Sequence, residues 1–415
     1  MLFLALQLIP TVGYAQDERQ QIENIFKANG YEESARQYGG QGNHQAAVKD
    51  FTKAINLNPT FILALSGRAE SYIALKEYEA AIKDLTIVIE VDPDREETYL
   101  ARSQAYLRLD KVPLAQADTS KFVKMKTARL FKSIRGYARK ENHDMVIRMT
   151  SEVIELDPNN AEAYEDRGEA YHAMGKSDLA LADFNKSLQI DPETGASAYR
   201  LRAEIYIARN QNDLAAADYR AAAKRNQPPL NIQLLEKSSA IDIKQKKYDG
   251  AATDYKAIIE ILEPLNEPKL AQTIVALYTE RGRLNSLLGK LNVAVADFAK
   301  ALALDPKNSS AYHFRGHAYE NNNRYDLAVA DFTAAIGLSA ESSEFLLDRS
   351  NVYMKQKKFA AALADLNKVF QIKPDDVKAI SLRAKIYCEQ NNKGAAAEDE
   401  KRVLDLGGKL EKKCQ

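Results

Sequence analysis

"RGHAYENNNRYDLAVADFTAAIGL", residues 315–338, lies over "RGEAYHAMGKSDLALADFNKSLQI", residues 167–190, without a gap. Both open on Arg, Gly, a variable residue, Ala and Tyr, and after a polar turn both continue with Asp-Leu-Ala and then Ala-Asp-Phe. The first signal, an Arg followed by a small residue and then by Tyr four positions on, recurs at Arg68, Arg102, Arg167, Arg202, Arg315, Arg349 and Arg383. The second, an Ala three positions ahead of an Asp, recurs at Asp50, Asp84, Asp183, Asp218, Asp254, Asp297, Asp331 and Asp365. The two alternate about every 34 residues, so the chain repeats one supersecondary element.

Each half of the repeat reads as a helix, because its apolar and small residues fall at spacings of three and four. A polar turn such as "NNNR" at 321–324 separates the halves, and a stop such as "LNP" at 57–59 or "LDP" at 304–306 follows the second. Pro lacks the amide that a continuing helix needs, so it breaks one helix and opens the next. The predicted element is a helical hairpin. The small residue after Arg lets two helices approach closely, while the Tyr and the later Phe or Tyr fill the space between neighbouring hairpins. The Arg and Asp are expected to form exposed ion pairs between adjacent helices, each worth on the order of 0.2–1 kcal/mol.

Composition agrees with helix throughout. The 415 residues are 45% apolar, with 21 Tyr, no Trp, only 18 Gly and 12 Pro, and almost no alternating β-branched runs. Fifty-eight basic and 58 acidic residues cancel, so no overall field draws the chain to nucleic acid or to an anionic membrane, and no nucleic-acid partner is expected. Residues 1–15, "MLFLALQLIPTVGYA", are apolar and end in small residues before "QDERQQ" turns polar. They read as a secretory signal cleaved after Ala15, the alternative being an N-terminal helix packed on the fold. The run is shorter than the roughly twenty residues of a transmembrane anchor. Export to a bacterial periplasm or beyond the cell follows from the signal; a cytoplasmic location follows from the alternative. Cys388 and Cys414 either pair and pin the C-terminal tail or are unrelated thiols.

The order small, Tyr, Ala, Phe, Ala, Pro on this period resembles the tetratricopeptide repeat, with Tyr99, Tyr164, Tyr278, Tyr312 or Phe345 near the place of the family's early Trp. Eleven repeats start near residues 28, 62, 96, 127, 161, 196, 232, 275, 309, 343 and 377. The resemblance implies an all-α fold, a right-handed superhelical solenoid of stacked antiparallel helix pairs. After a leader or cap at 16–27, repeats 1–7 occupy 28–262 and repeats 8–11 occupy 275–410, with a tail at 411–415. The fourth repeat arrives three residues early and the eighth about nine late, after "EPLNEPKL" at 263–270. The insertion at 263–274 is a candidate bend, the alternative being a longer helix pair in an unbroken array.

The resemblance further implies that first helices line a concave groove that takes extended peptides or partner helices. Non-recurring residues on that stripe are the candidate contacts. The fourth repeat offers a basic patch, Lys132, Arg135 and Arg139, beside Phe131 and Ala138. The fifth offers an acidic one, Glu162, Glu165, Asp166 and Glu169, with His172. The ninth offers His313, His317 and Glu320, and the tenth Asp348 and Asn351. Some family members capture a C-terminal carboxylate with Lys and Asn on these helices. Only Asn351 matches that pattern, and Leu347 stands where Lys would, so that role is not expected.

His313 and His317, four apart on one helical face, could share a metal, but neither "HExxH" nor a third ligand beyond Glu320 or Asp348 is evident. They are read as polar groove residues, and no metal, cofactor or catalytic constellation is expected. The functional expectation is a non-enzymatic scaffold or adaptor for protein partners. A chaperone-like envelope assembly factor and a glycan- or metal-binding accessory protein remain as alternatives.

Overall fold

The structure, a computed structural model, describes residues 16–339 and 341–409. The expected signal at 1–15, the tail at 411–415 and Cys414 lie outside the described residues. Among the described residues there are 21 α-helices and no strand. Contacts divide them into two compact units, one ending at Leu179 and the other beginning at Ala180.

The first unit contains α1 (Gln16–Gly40), α2 (His44–Leu57), α3 (Ile62–Ala74), α4 (Tyr78–Val91), α5 (Glu96–Arg108), α6 (Val112–Ala138), α7 (His143–Leu156) and α8 (Ala161–Ala173). Helix α9 (Ser177–Ile190) begins at its end. The second unit continues with α10 (Ala196–Ala208), α11 (Asn212–Lys224), α12 (Leu230–Lys244), α13 (Tyr248–Leu262), α14 (Ala271–Leu287), α15 (Leu291–Leu304), α16 (Ser309–Asn321) and α17 (Tyr325–Leu338). It closes with α18 (Ser343–Lys355), α19 (Phe359–Ile372), α20 (Val377–Glu389) and α21 (Lys393–Asp405). In each unit, consecutive helices pack as pairs and each pair packs on the next.

A backbone marker shows the period directly. The turn between the two helices of every repeat contains one residue with positive φ, at Gly42, Lys76, Asp110, Glu141, Gly175, Asn210, Lys246, Gly289, Asn323, Lys357 and Asn391. A single left-handed residue lets a helix end and the chain reverse, and most non-glycine residues hold that conformation only at some cost. From Asp110 to Glu141 the interval is 31 residues, and from Lys246 to Gly289 it is 43. These are the early fourth repeat and the late eighth.

The early repeat differs from the expected hairpin. No Pro or Gly interrupts "SKFVKMKTARLF" at 120–131, so the second helix of repeat three and the first of repeat four are one 27-residue helix, α6. The late repeat places its extra residues in two short 3₁₀ turns, Glu263–Leu265 and Pro268–Leu270, where Tyr278 Oη donates to Glu263 at 3.0 Å. Apolar packing continues across this insertion through Tyr219, Ile258, Ile274, Tyr278 and Phe298. Residues 16–27 continue the first helix of the array. Pro59, Pro93, Pro158, Pro192, Pro306 and Pro374 lie in the loops that follow second helices, and Asn160, Asn308 and Asp376 open the next helices by accepting from backbone amides.

The recurrent aromatics are core: Phe298 and Phe332 are fully buried, and a Cβ on Gly316 would stand 2.7 Å from the Phe332 ring. The Arg–Asp pairs join the two helices of one repeat sixteen residues apart, but they are not exposed. Asp84, Asp118, Asp218, Asp297, Asp331, Asp365 and Asp399 are buried. Each accepts a two-pronged hydrogen bond from its Arg, as in Arg349 Nε and Nη2 to Asp365 at 2.8 and 2.7 Å. In several repeats the guanidinium also reaches back to the preceding helix, Arg68 Nη1 donating to Thr52 and Arg349 Nη1 to Thr333. The value expected for exposed pairs is therefore too small, because truncating one partner leaves a desolvated charge, which costs about 3–5 kcal/mol.

Candidate functional site

Two groups of non-recurring polar residues gather on first helices, one in each compact unit. In the second unit α16 places His313, His317 and Glu320 at spacings of four and three, and α18 places Asp348, Asn351 and Lys355 likewise. The two rows meet. His313 Nε2 lies 2.7 Å from Asp348 Oδ2, His317 Nε2 lies 3.2 Å from the same oxygen, and the two Nε2 atoms are 3.1 Å apart. His317 Nδ1 donates to Glu320 Oε2 at 3.2 Å, and the other Glu320 oxygen accepts from Asn351 and from Lys355, each at 2.8 Å.

Burial and charge set the electrostatics. Burial works against a charge on His317, but hydrogen bonds and charges from Asp348 and Glu320 outweigh it and lift the imidazole to about 9. Burial likewise opposes ionisation of Asp348, yet the two histidines hold its carboxyl down at about 2. Glu320 is also held below its ordinary range, His317 and Lys355 outweighing burial. Phe345 and Phe332 flank the His313 ring, with centroids 4.5 and 5.8 Å away.

All five residues read from the sequence in repeats nine and ten are thus brought together, but not equally. His313 and Glu320 are buried, so an incoming molecule meets His317, Asp348 and Lys355. Lys355 was missed in the sequence reading, although its place one turn beyond Asn351 on the same stripe marks it.

In the first unit, Lys132, Arg135 and Arg139 are exposed at the end of α6, and Glu162, Glu165, Asp166 and Glu169 lie along α8 with His172 one turn further. The patches adjoin: Arg135 Nη2 donates to Glu162 Oε1 at 3.3 Å. Phe131 is buried against Leu130, Ile134 and Val146 and belongs to the core, not to the stripe on which its spacing placed it. Burial, then the carboxylates of Glu169, Glu162 and Glu165, push the Asp166 carboxyl up to about 7 against the opposing pull of Arg135. At the far end of the chain, Cys388 on α20 is disulfide-bonded.

Stacked helical hairpins whose recurrent residues are spent on packing define a helical-repeat protein, and such arrays serve as interaction scaffolds. Family models described as tetratricopeptide repeat match residues 161–194 and residues 28–61, 64–95, 275–308, 309–342 and 343–376. The chain belongs to the tetratricopeptide-repeat family, whose members bind protein partners. No curated protein matches it. Among solved structures it is similar to yeast Tom70, with 16% identity, a TM-score of 0.36 and coverage of 91% of this chain and 92% of that one. It is also similar to the C-terminal part of a repeat protein from Cytophaga hutchinsonii, with 18% identity, a TM-score of 0.37 and coverage of 61% and 98%. Among the described residues no helix is long and apolar enough to cross a membrane.

Proposed function

We propose that the chain is a non-enzymatic scaffold that holds extended peptides or partner helices along its first helices. The observation that carries this reading is the partition of polar side chains. The recurrent Arg and Asp residues are consumed inside the repeats, whereas the non-recurring ones collect on first helices of neighbouring repeats, α6 with α8 and α16 with α18. Charged rather than aromatic lining favours defined peptide ligands over the unfolded chains a chaperone would take. The acidic row on α8, where one carboxyl is already pushed towards neutrality, suits a Lys- or Arg-bearing segment. Export to an oxidising compartment belongs to the same reading, supported by the apolar run at 1–15 and by the bonded Cys388.

The test is a display library of random peptides selected on the mature chain, with each selected peptide then titrated against wild type, Glu169→Ala and His317→Ala. Tenfold or greater weakening in either variant supports a groove site. Unchanged affinity in both removes these residues from the binding surface.

A further inference from the structure

The polar cluster between α16 and α18 has a feature that ion pairing leaves unexplained. Three donor atoms, His313 Nε2, His317 Nε2 and Asp348 Oδ2, form a triangle with sides of 2.7, 3.1 and 3.2 Å. Hydrogen bonds cannot satisfy all three sides. If both imidazoles carry a proton on Nε2, both donate to the carboxylate, and the short nitrogen–nitrogen contact sets two N–H groups against each other. If one Nε2 is bare, it meets the carboxylate oxygen lone pair to lone pair. Every placement of protons leaves one side of the triangle unfavourable. A cation above the triangle satisfies all three at once, because each atom then offers its lone pair to the same point.

The dimensions suit zinc. Ligand atoms bound at about 2.0–2.2 Å in a tetrahedral site lie roughly 3.4 Å apart, so the two His317 sides need to open by about 0.2–0.3 Å and the His313–Asp348 side by about 0.7 Å. The supporting contacts are also those of a metal-bound histidine. Glu320 accepts from His317 Nδ1, fixing the tautomer that leaves Nε2 free, and Glu320 is itself held by Asn351 and Lys355. Two imidazoles and one carboxylate make a borderline donor set that favours Zn(II) over the harder Ca(II) or Mg(II).

We propose that His313, His317 and Asp348 bind one Zn(II) ion, with Glu320 as the positioning residue for His317. The ion joins the first helix of repeat nine to that of repeat ten, across 35 residues of sequence. With three protein ligands the fourth position faces solvent, where the His317 and Asp348 side chains are 35% and 23% exposed, and it takes water or a donor atom from a partner. The bound imidazoles are neutral at Nε2, so binding releases the Nε2 proton to solvent. The site stands whether or not the groove binds peptides.

The experiment uses the full mature chain without a histidine tag, stripped with EDTA. Zinc chloride is added in a calorimeter, and cobalt chloride is followed by visible absorption. One equivalent of zinc, with the intense d–d bands of tetrahedral cobalt, is the expected result. His317→Gln and Asp348→Asn, checked for native helicity by circular dichroism, should each weaken zinc at least 100-fold, and Glu320→Gln by about 10–100-fold. His143→Gln, on α7 and outside the set of three ligands, should bind as wild type does. No zinc uptake by the wild type, octahedral cobalt bands, or wild-type affinity in His317→Gln and Asp348→Asn would each overturn the assignment. Because the wild-type cobalt spectrum depends on no substitution, the proposal stays testable even if a variant fails to fold.

Discussion

Arg220 holds Asp254 by two parallel hydrogen bonds of 2.7 and 2.8 Å, from the opposite side to the arginines of the other repeats. Elsewhere the buried Asp is held by an Arg sixteen residues earlier on the first helix of its own repeat, but at that place the seventh repeat has Ser238. Arg220 stands instead two residues after Asp218, in the slot that holds Thr52, Thr86 or Thr333 in other repeats. The guanidinium arrives from α11, the second helix of the preceding repeat, and it also binds Asp242 on α12, which occupies the usual Tyr slot. Gly250 makes the room, since a Cβ there would come within 2.0 Å of the Asp242 carboxylate.

Arg220→Ala leaves two buried carboxylates without their cation and is expected to destabilise the second compact unit by about 3–5 kcal/mol. Arg220→Thr combined with Ser238→Arg restores the arrangement of the other repeats and should recover at least half of that loss. Urea unfolding followed by circular dichroism measures both, and a double variant no better than the single one would refute the exchange of positions.

The regular pairs and the surface pairs should separate sharply. Asp365→Ala strands Arg349 and should cost about 3–5 kcal/mol. Asp326→Ala removes an ion pair to Lys358 that lies 3.8 Å apart at the surface, and should cost no more than about 1 kcal/mol. Equal losses in parallel urea titrations would contradict the difference in burial.

Gly316→Ala drives a methyl group into the Phe332 ring, with three ring carbons at 2.7–3.0 Å, and should cost about 1–3 kcal/mol. In some repeats Ala or Ser in this slot goes with a non-aromatic residue sixteen positions on, as in Ala69 with Leu85 and Ser350 with Leu366, while Ala35 and Ala203 are followed at that distance by Phe51 and Tyr219. Phe332→Leu should therefore be less harmful in the Gly316→Ala background than in the wild type, which a double-mutant cycle in urea reads directly.

Asp166 predicts a pH dependence. Its folded-state pKa of about 7 lies above the ordinary 3.8, so the folded chain holds this proton more tightly than the unfolded chain does. The stability that results is complete below about pH 4 and is lost as pH rises through about 7. Asp166→Asn, which stays neutral, should be more stable than wild type at pH 8 and nearly equal to it at pH 4. An advantage that grew towards low pH would reverse the sign and sink the assignment.

Much of the fold was legible because the repeat states it many times. The slots at Arg315, Gly316, Tyr319, Ala328, Asp331 and Phe332 carry the same packing role wherever they recur, and the shortened interval before repeat four was visible as a count of residues. Its consequence was not. Whether three missing residues shorten a loop or abolish it depends on whether the helix can run on, and α6 does so because no Pro or Gly stops it. The site was legible as a list of exceptions to the repeat. Lys355 and the burial of His313 and Glu320 escaped that list, because periodicity gives the face of a helix and not the depth of its neighbours.

By itself the sequence determined the helical period, the hairpin, the number of repeats and the residues that break the pattern. These follow from local chemistry: side-chain spacing, turn residues, and Pro without its amide. Only the tertiary structure decided which exceptions meet. His313 and Asp348 are 35 residues apart in the chain and 2.7 Å apart in space, because stacking sets equivalent helices of successive repeats side by side. It likewise decided that the Arg–Asp pairs are buried and that Arg220 could replace an arginine missing from another helix. Desolvation and reach are properties of packed neighbours, and no single helix contains them.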